Sequence, residues 1–392
     1  MPKWLRLCLI NGGLVLASVI GTLAVLETTV FKYVLVPDDV LRNVTIGGVV
    51  RYEPDTRAVF RHPDGRETLV TINADGWNST KPRYKVERTP GVLRVAVIGD
   101  SYVHGGFVDV GDGFPEVMES ALNKAGTPAE VFRFGMDGAP LSQYLHMLRR
   151  EVRRFKPDVV VIMLIHNDFD ETYRFLQTRY ASSFLKLGAN AAGVVLEYPP
   201  ADFAPGLADR FRELRTFRYL YYETNAYLAL KSLVSRIWWG GNEDWAPEFV
   251  SSGVDIRRIS DHDKNDFFAH YVMREMKAIA AADGFKIVFV MDGVREAVYD
   301  GKPAHKYEVG RLNLVAADVA RRLELPFLDL QETFRADYER RCERFEFAYD
   351  WHWNVLGNRL VGDAVVRFLT TDPRLLGPRT TTAASEGPPV SR

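Results

Sequence analysis

The sequence predicts an α/β fold of three layers, α/β/α, built on a doubly wound sheet of about five parallel strands. Two observations predict it. Short apolar, β-branched runs alternate with amphipathic helical patterns along most of the 392-residue chain. Strands covered by helices on both faces read as continuous apolar runs, and five runs have that character, at residues 92–98, 130–134, 158–165, 286–291 and 326–330. Between the second and third runs, Leu141, Tyr144, Leu145, Leu148, Val152 and Phe155 recur at helical spacing, so one helix face meets the sheet. Arg149, Arg150, Arg153 and Arg154 fall on its other faces and read as solvated surface.

The remaining elements attach to that core in order. Lys3 and Arg6 precede an apolar run at residues 7–26, close to the ~20 residues that a helix needs to span a bilayer. Basic residues before the run and Glu27 after it orient the N-terminus inside. Residues 1–30 are therefore expected to be a single-pass transmembrane anchor, with the rest of the chain on the extracytoplasmic (periplasmic) side. A cleaved signal peptide, cut after Thr22-Leu23-Ala24, is the alternative and gives a secreted protein.

Residues 31–91 predict a small β-rich extension, from alternating pieces at 49–52, 58–61 and 67–72 separated by Asp, Gly and Pro. The main domain is expected at 92–371. It is interrupted at about 181–260 by an insertion too long for a simple connection. Aromatic residues crowd residues 211–239, which predicts helical packing against the main domain, with a lid or substrate lining as the sharper alternative. Residues 372–392 lack periodicity and predict a disordered tail. The whole reads as a flavodoxin-like sheet with a β-rich N-terminal extension and a helical insertion.

Composition removes several functions. The net charge is −1 and no basic block is present, so no nucleic-acid partner is expected. Cys8 and Cys342 lie in unlike contexts, one apolar and one charged, which argues against a disulfide. No His/Cys/Asp/Glu group has metal-ligand spacing, so neither a metal nor another cofactor is expected.

The chemistry concentrates where strands end. Gly99-Asp100-Ser101 closes the first run and delivers a serine at the strand's carboxyl end. A serine hydroxyl is a poor nucleophile unless a base takes its proton and a carboxylate orients that base. His352 and Asp350 in Asp350-Trp351-His352-Trp353-Asn354 are suited to this, because residues two apart in extended backbone project to one side. Acyl transfer also needs donors where negative charge develops. Gly138, after the second run, offers a backbone N–H, and Asn167, after the third, offers an amide. All these loops follow strands of one sheet, and ligands bind at such carboxyl ends. A Gly-x-Ser-x-Gly elbow is absent around Ser101, which argues against an α/β-hydrolase site. His104 and His166 read as loop or pocket-wall residues.

Taken in order, Gly99-Asp100-Ser101, Gly138, Asn167-Asp168 and Asp350/His352 resemble the four motif blocks of the SGNH hydrolases, the GDSL-type esterases and lipases. The resemblance covers residues 92–369. It implies that Ser101 attacks the acyl carbon, His352 acts as base and then acid, and Asp350 orients it. It also implies an oxyanion hole from the Ser101 and Gly138 N–H groups and the Asn167 side chain. Two departures stand out. Ile165 replaces the glycine usual before the asparagine block, and the last block is Asp-x-His rather than Asp-x-x-His.

That shorter block resembles bacterial, membrane-tethered branches that include polysaccharide O-acetylation proteins. The function implied is a serine ester hydrolase, an acyl or acetyl esterase acting on an extracytoplasmic ester such as an acetylated glycan. An O-acyltransferase served by a multi-span acyltransferase partner is the enzymatic alternative. An inactive glycan-binding scaffold is the alternative of another class.

Overall fold

The computed structural model describes residues 2–174, 181–220 and 261–376. Two small antiparallel hairpins come first, β1 (Asn43–Ile46) with β2 (Val49–Tyr52) and β3 (Arg57–Arg61) with β4 (Glu67–Thr71). The main sheet is formed by β5 (Leu93–Gly99), β6 (Ala129–Gly135), β7 (Val159–Leu164), β10 (Lys286–Met291) and β11 (Phe327–Asp329). Its strands run parallel in the order β11-β10-β7-β5-β6. Renumbered within the sheet this is 2-1-3-4-5, the flavodoxin-like order, with a switch point beside β5. Each of the five predicted runs became a strand, displaced by no more than one residue at either end.

Strand periodicity divides the core into two layers. Ala96, Ile98, Phe132, Phe134, Val160 and Ile162 face one side, with helices Leu141–Arg150, His262–Asp283 and Arg311–Arg322. Val95, Val97, Val131, Val161 and Met163 face the other, with helices Phe114–Lys124 and Val355–Thr371. The predicted arginine face is more than solvated surface. Arg149 pairs with Glu197 and Glu275, Arg153 with Asp283 and Arg154 with Glu151.

The N-terminal extension is β-rich as expected and is docked firmly on the sheet domain. Trp77 is fully buried edge-on to Phe134, and Arg51 forms a buried 2.7 Å ion pair with Glu151. Asn78 donates to the His104 carbonyl (2.8 Å) and Thr68 to the Gly106 carbonyl (3.0 Å), so the extension holds the loop that follows Ser101.

The insertion corrects the expectation in part. After a single helical turn, Ala181–Ser183, its described residues form a hairpin, β8 (Lys186–Ala189) and β9 (Val195–Tyr198). Asn190 Oδ1 accepts from the Ala192 and Val194 N–H groups and Gly193 adopts φ 74°, a turn chemistry that overrides helix formation. Short helices Leu207–Phe211 and Arg215–Arg218 follow. The aromatic residues expected at 221–239 and the tail beyond residue 376 lie outside the described residues.

The N-terminal apolar run forms helix Lys3–Val25, none of whose residues is buried. It is long and apolar enough to cross a membrane and equally fits a signal sequence. Just beyond it, Glu27 accepts from the Arg215 and Thr216 N–H groups (2.9 and 2.7 Å), which ties the base of the helix to the domain.

Candidate active site

Glycine places the serine. A Cβ on Gly135 would lie 2.1 Å from the His104 nitrogen, and one on Gly99 would lie 2.4 Å from Val103 Cγ2. Only without those carbons can the turn Ser101–His104 close directly over the ends of β5 and β6. Asp100 caps that turn, its Oδ1 accepting from the Tyr102 N–H at 3.0 Å.

The base arrives from the far end of the chain. Asp350 and His352 lie on a short strand, β13 (Asp350–Trp353), which pairs antiparallel with β12 (Glu346–Phe347). His352 Nε2 is 2.7 Å from Ser101 Oγ. Its Nδ1 bonds Asp350 Oδ1, and the same carboxylate oxygen accepts the His352 backbone N–H at 2.7 Å. A proton on Nδ1 leaves the Nε2 lone pair directed at the hydroxyl. The ring lies between Phe107, stacked at 4.1 Å, and Tyr102 at 4.7 Å.

Gly138 and Asn167 stand on either side. They follow β6 and β7, the two neighbours of β5 in the sheet. Gly138 has φ 66° and no atom within 4 Å of a would-be Cβ, so backbone conformation rather than crowding requires glycine. Met136 N–H donates to the Gly99 carbonyl (3.2 Å), which holds this loop against the serine strand. Asn167 is half-buried ahead of a short helix, Asp168–Glu171. Asp168 locks the Asn167 loop, accepting from the Ile165 N–H (2.7 Å) and from the Tyr144 hydroxyl (2.8 Å). Ile165 itself is fully buried in the core, which accounts for the apolar residue in place of glycine.

The structure thus joins Ser101, His352 and Asp350 in one hydrogen-bonded chain and sets Gly138 and Asn167 at the same sheet edge. His166 lies in the loop after β7 and His104 ends the short turn Ser101–His104, and both are buried. His104 Nδ1 bonds Asp137 at 2.7 Å, and His166 Nε2 bonds Asn313 at 2.9 Å. Among the described residues no group of His, Cys, Asp and Glu is arranged to hold a metal ion. Sequence reading missed Tyr102, Phe107, Asp292 and Arg295. Asp292 and Arg295 follow β10 at the same edge, and that position was the available signal.

Burial, reinforced by the neighbouring carboxylates Asp137, Glu171 and Asp292, pushes the Asp100 carboxyl up to about 8, against the opposing hydrogen bond from Tyr102. Asp168, buried close to Asp100, is raised as well. A carboxyl raised in this way binds its proton more tightly folded than unfolded. Its contribution to stability is therefore full below about pH 4, falls as the pH rises to about 8, and is constant above. Asp100→Asn keeps the oxygen that caps the turn. Thermal denaturation should give the variant a Tm close to that of the parent near pH 4 and higher by roughly a few degrees at pH 8. Equal Tm values at pH 8 would mean that the buried carboxylate ionises without cost.

Residues 95–201 match the GDSL-like lipase/acylhydrolase family, a segment that holds Ser101, Gly138 and Asn167 and ends before Asp350 and His352. No curated protein matches the chain. Solved structures with similarity include a catalytic mutant of an acetylxylan esterase from Geobacillus stearothermophilus, with 13% identity, 70% of this chain and 93% of that one covered, and a TM-score of 0.39. A lipase/acylhydrolase from Enterococcus faecalis has 16% identity, coverage of 70% and 94%, and a TM-score of 0.37.

Proposed function

We propose that this chain, whose residues 95–201 match the GDSL-like lipase/acylhydrolase family, is an ester hydrolase of that type and works through a Ser101–His352–Asp350 triad and an acyl-enzyme. The 2.7 Å contact between His352 Nε2 and Ser101 Oγ carries this reading. His352 takes the serine proton as Oγ bonds to the acyl carbon, and returns it to the departing alkoxide when the ester C–O bond breaks. Water then attacks the acyl-enzyme, giving its proton to His352, and free acid and free serine result. Asp350 holds the imidazole in the tautomer this requires and stabilises its cationic form. The Ser101 and Gly138 N–H groups and the Asn167 amide serve as oxyanion donors.

The substrate we assign is a short acyl ester, in particular an acetylated glycan, met on the extracytoplasmic side of a membrane that helix Lys3–Val25 anchors. The compact Asp-x-His block and the N-terminal helix support that placement. Full-length protein incubated with an acetylated oligosaccharide should release free acetate. Acetyl groups found on a second sugar, with no acetate released, would turn the reading to transfer. Asn167→Ala should lower kcat by about 10²–10³ with little change in KM, because an oxyanion donor acts mainly in the transition state. An unchanged kcat would remove Asn167 from the oxyanion hole.

A further inference from the structure

The triad depends on keeping two segments in line, although Ser101 and His352 are 251 residues apart in sequence. One buried phenol joins their neighbours. Tyr102 directly follows the serine, and its hydroxyl donates to the Trp351 carbonyl, directly before the histidine, at 2.8 Å. Arg295 Nη2 donates to the same hydroxyl at 3.0 Å. Arg295 Nη1 pairs with Asp292 Oδ2 at 2.8 Å, and both residues are almost completely buried. Asp292 Oδ1 in turn accepts from Trp353 Nε1 at 3.2 Å, the residue directly after the histidine. His352 is therefore bolted at both flanks to the carboxyl end of β10.

We infer that Tyr102, Arg295 and Asp292 act as one positioning unit that keeps His352 in register with Ser101. The inference rests on the triad assigned above and adds to it residues that exchange no proton in the reaction. A buried ion pair is a poor source of stability, because desolvation offsets most of its attraction, yet once formed it specifies geometry well. The pair here has such geometry to specify. Three bonds of the network end on the residues flanking His352 and Ser101, namely Tyr102 to Trp351, Arg295 to Tyr102 and Trp353 to Asp292, and the Tyr102 ring also lies 4.7 Å from the imidazole. Burial raises the Tyr102 phenol well above its ordinary value, with Asp292 adding to the effect and Arg295 opposing it, so the hydroxyl keeps the proton it donates. Misplacement of a catalytic group by about 1 Å can cost on the order of 10²-fold in rate.

Tyr102→Phe tests this, since it keeps the ring and removes the hydroxyl. Tyr84→Phe is the matched control. The Tyr84 phenol is also buried and donates to a backbone carbonyl, that of Arg133, at 2.9 Å on β6. With full-length protein and a short-chain chromogenic ester, Tyr102→Phe should lose about 10- to 100-fold in kcat with KM held within about twofold. Tyr84→Phe should lose stability but keep kcat. In histidine-labelled protein, the downfield proton of the His352–Asp350 bond should broaden in Tyr102→Phe and persist in Tyr84→Phe. Wild-type kcat and a sharp resonance in Tyr102→Phe, or an equal kcat loss in Tyr84→Phe, would overturn the positioning role. Ser101→Ala measured alongside separates the two readings. If it matches the parent, the triad falls, while the imidazole resonance still reports on the clamp without any substrate.

Discussion

Ser101→Ala and His352→Ala should each lower kcat/KM for a short-chain ester on the order of 10⁴-fold or more, in protein whose thermal unfolding stays close to that of the parent. The expectation follows from the contact itself. His352 Nε2 lies within hydrogen-bond reach of one hydroxyl, and the two groups exchange a single proton, so removing either leaves the other without a partner in the reaction. The double variant should be scarcely worse than either single one, because groups that act as a unit are strongly non-additive. Both side chains are only partly buried, and their loss opens no core cavity, which keeps stability apart from activity. Initial-rate kinetics on the three variants checks this. Additive losses would mean that serine and histidine work independently.

Asp350→Asn should cost about 10³–10⁴ in kcat with the fold intact. Asp350 accepts two donors, the His352 ring Nδ1–H and the His352 backbone N–H. Asparagine can keep the backbone bond through its oxygen, yet it can also turn its NH₂ toward Nδ1. That choice puts the imidazole proton on Nε2, where it faces the Ser101 hydroxyl and can no longer remove its proton. Loss of the carboxylate charge also removes stabilisation of the imidazolium formed as the serine attacks. Single-turnover acylation should therefore slow in parallel with kcat, while KM changes little. A variant with normal acylation would reduce Asp350 to a structural cap on β13.

The sheet was legible because burial on both faces leaves an unmistakable record, as in Val159 to Leu164, where every residue is apolar and buried. The candidate site was legible for a different reason. Its residues lie in short motifs at strand ends, and the two-residue spacing of Asp350 and His352 maps directly onto extended backbone. Other parts left weaker traces. β1 is four residues long and carries Asn43 and Thr45, so no apolar run announces it. The β8–β9 hairpin sits on Asn190 and Gly193, a turn signal outweighed by the aromatic content that follows it in the chain. The bond between Tyr102 and Arg295 spans 193 residues, and nothing local in either segment reports it. The same holds for the extension's grip on the His104 and Gly106 carbonyls, which depends on how segments distant in sequence pack together.

The central claim, that Ser101 is the nucleophile, is tested most directly by labelling the full-length protein with a fluorophosphonate and mapping the adduct by peptide mass. One adduct on the peptide that contains Ser101, absent in Ser101→Ala and strongly slowed in His352→Ala, is the predicted result. An adduct on another residue, or no adduct in protein that still hydrolyses the ester, would contradict it.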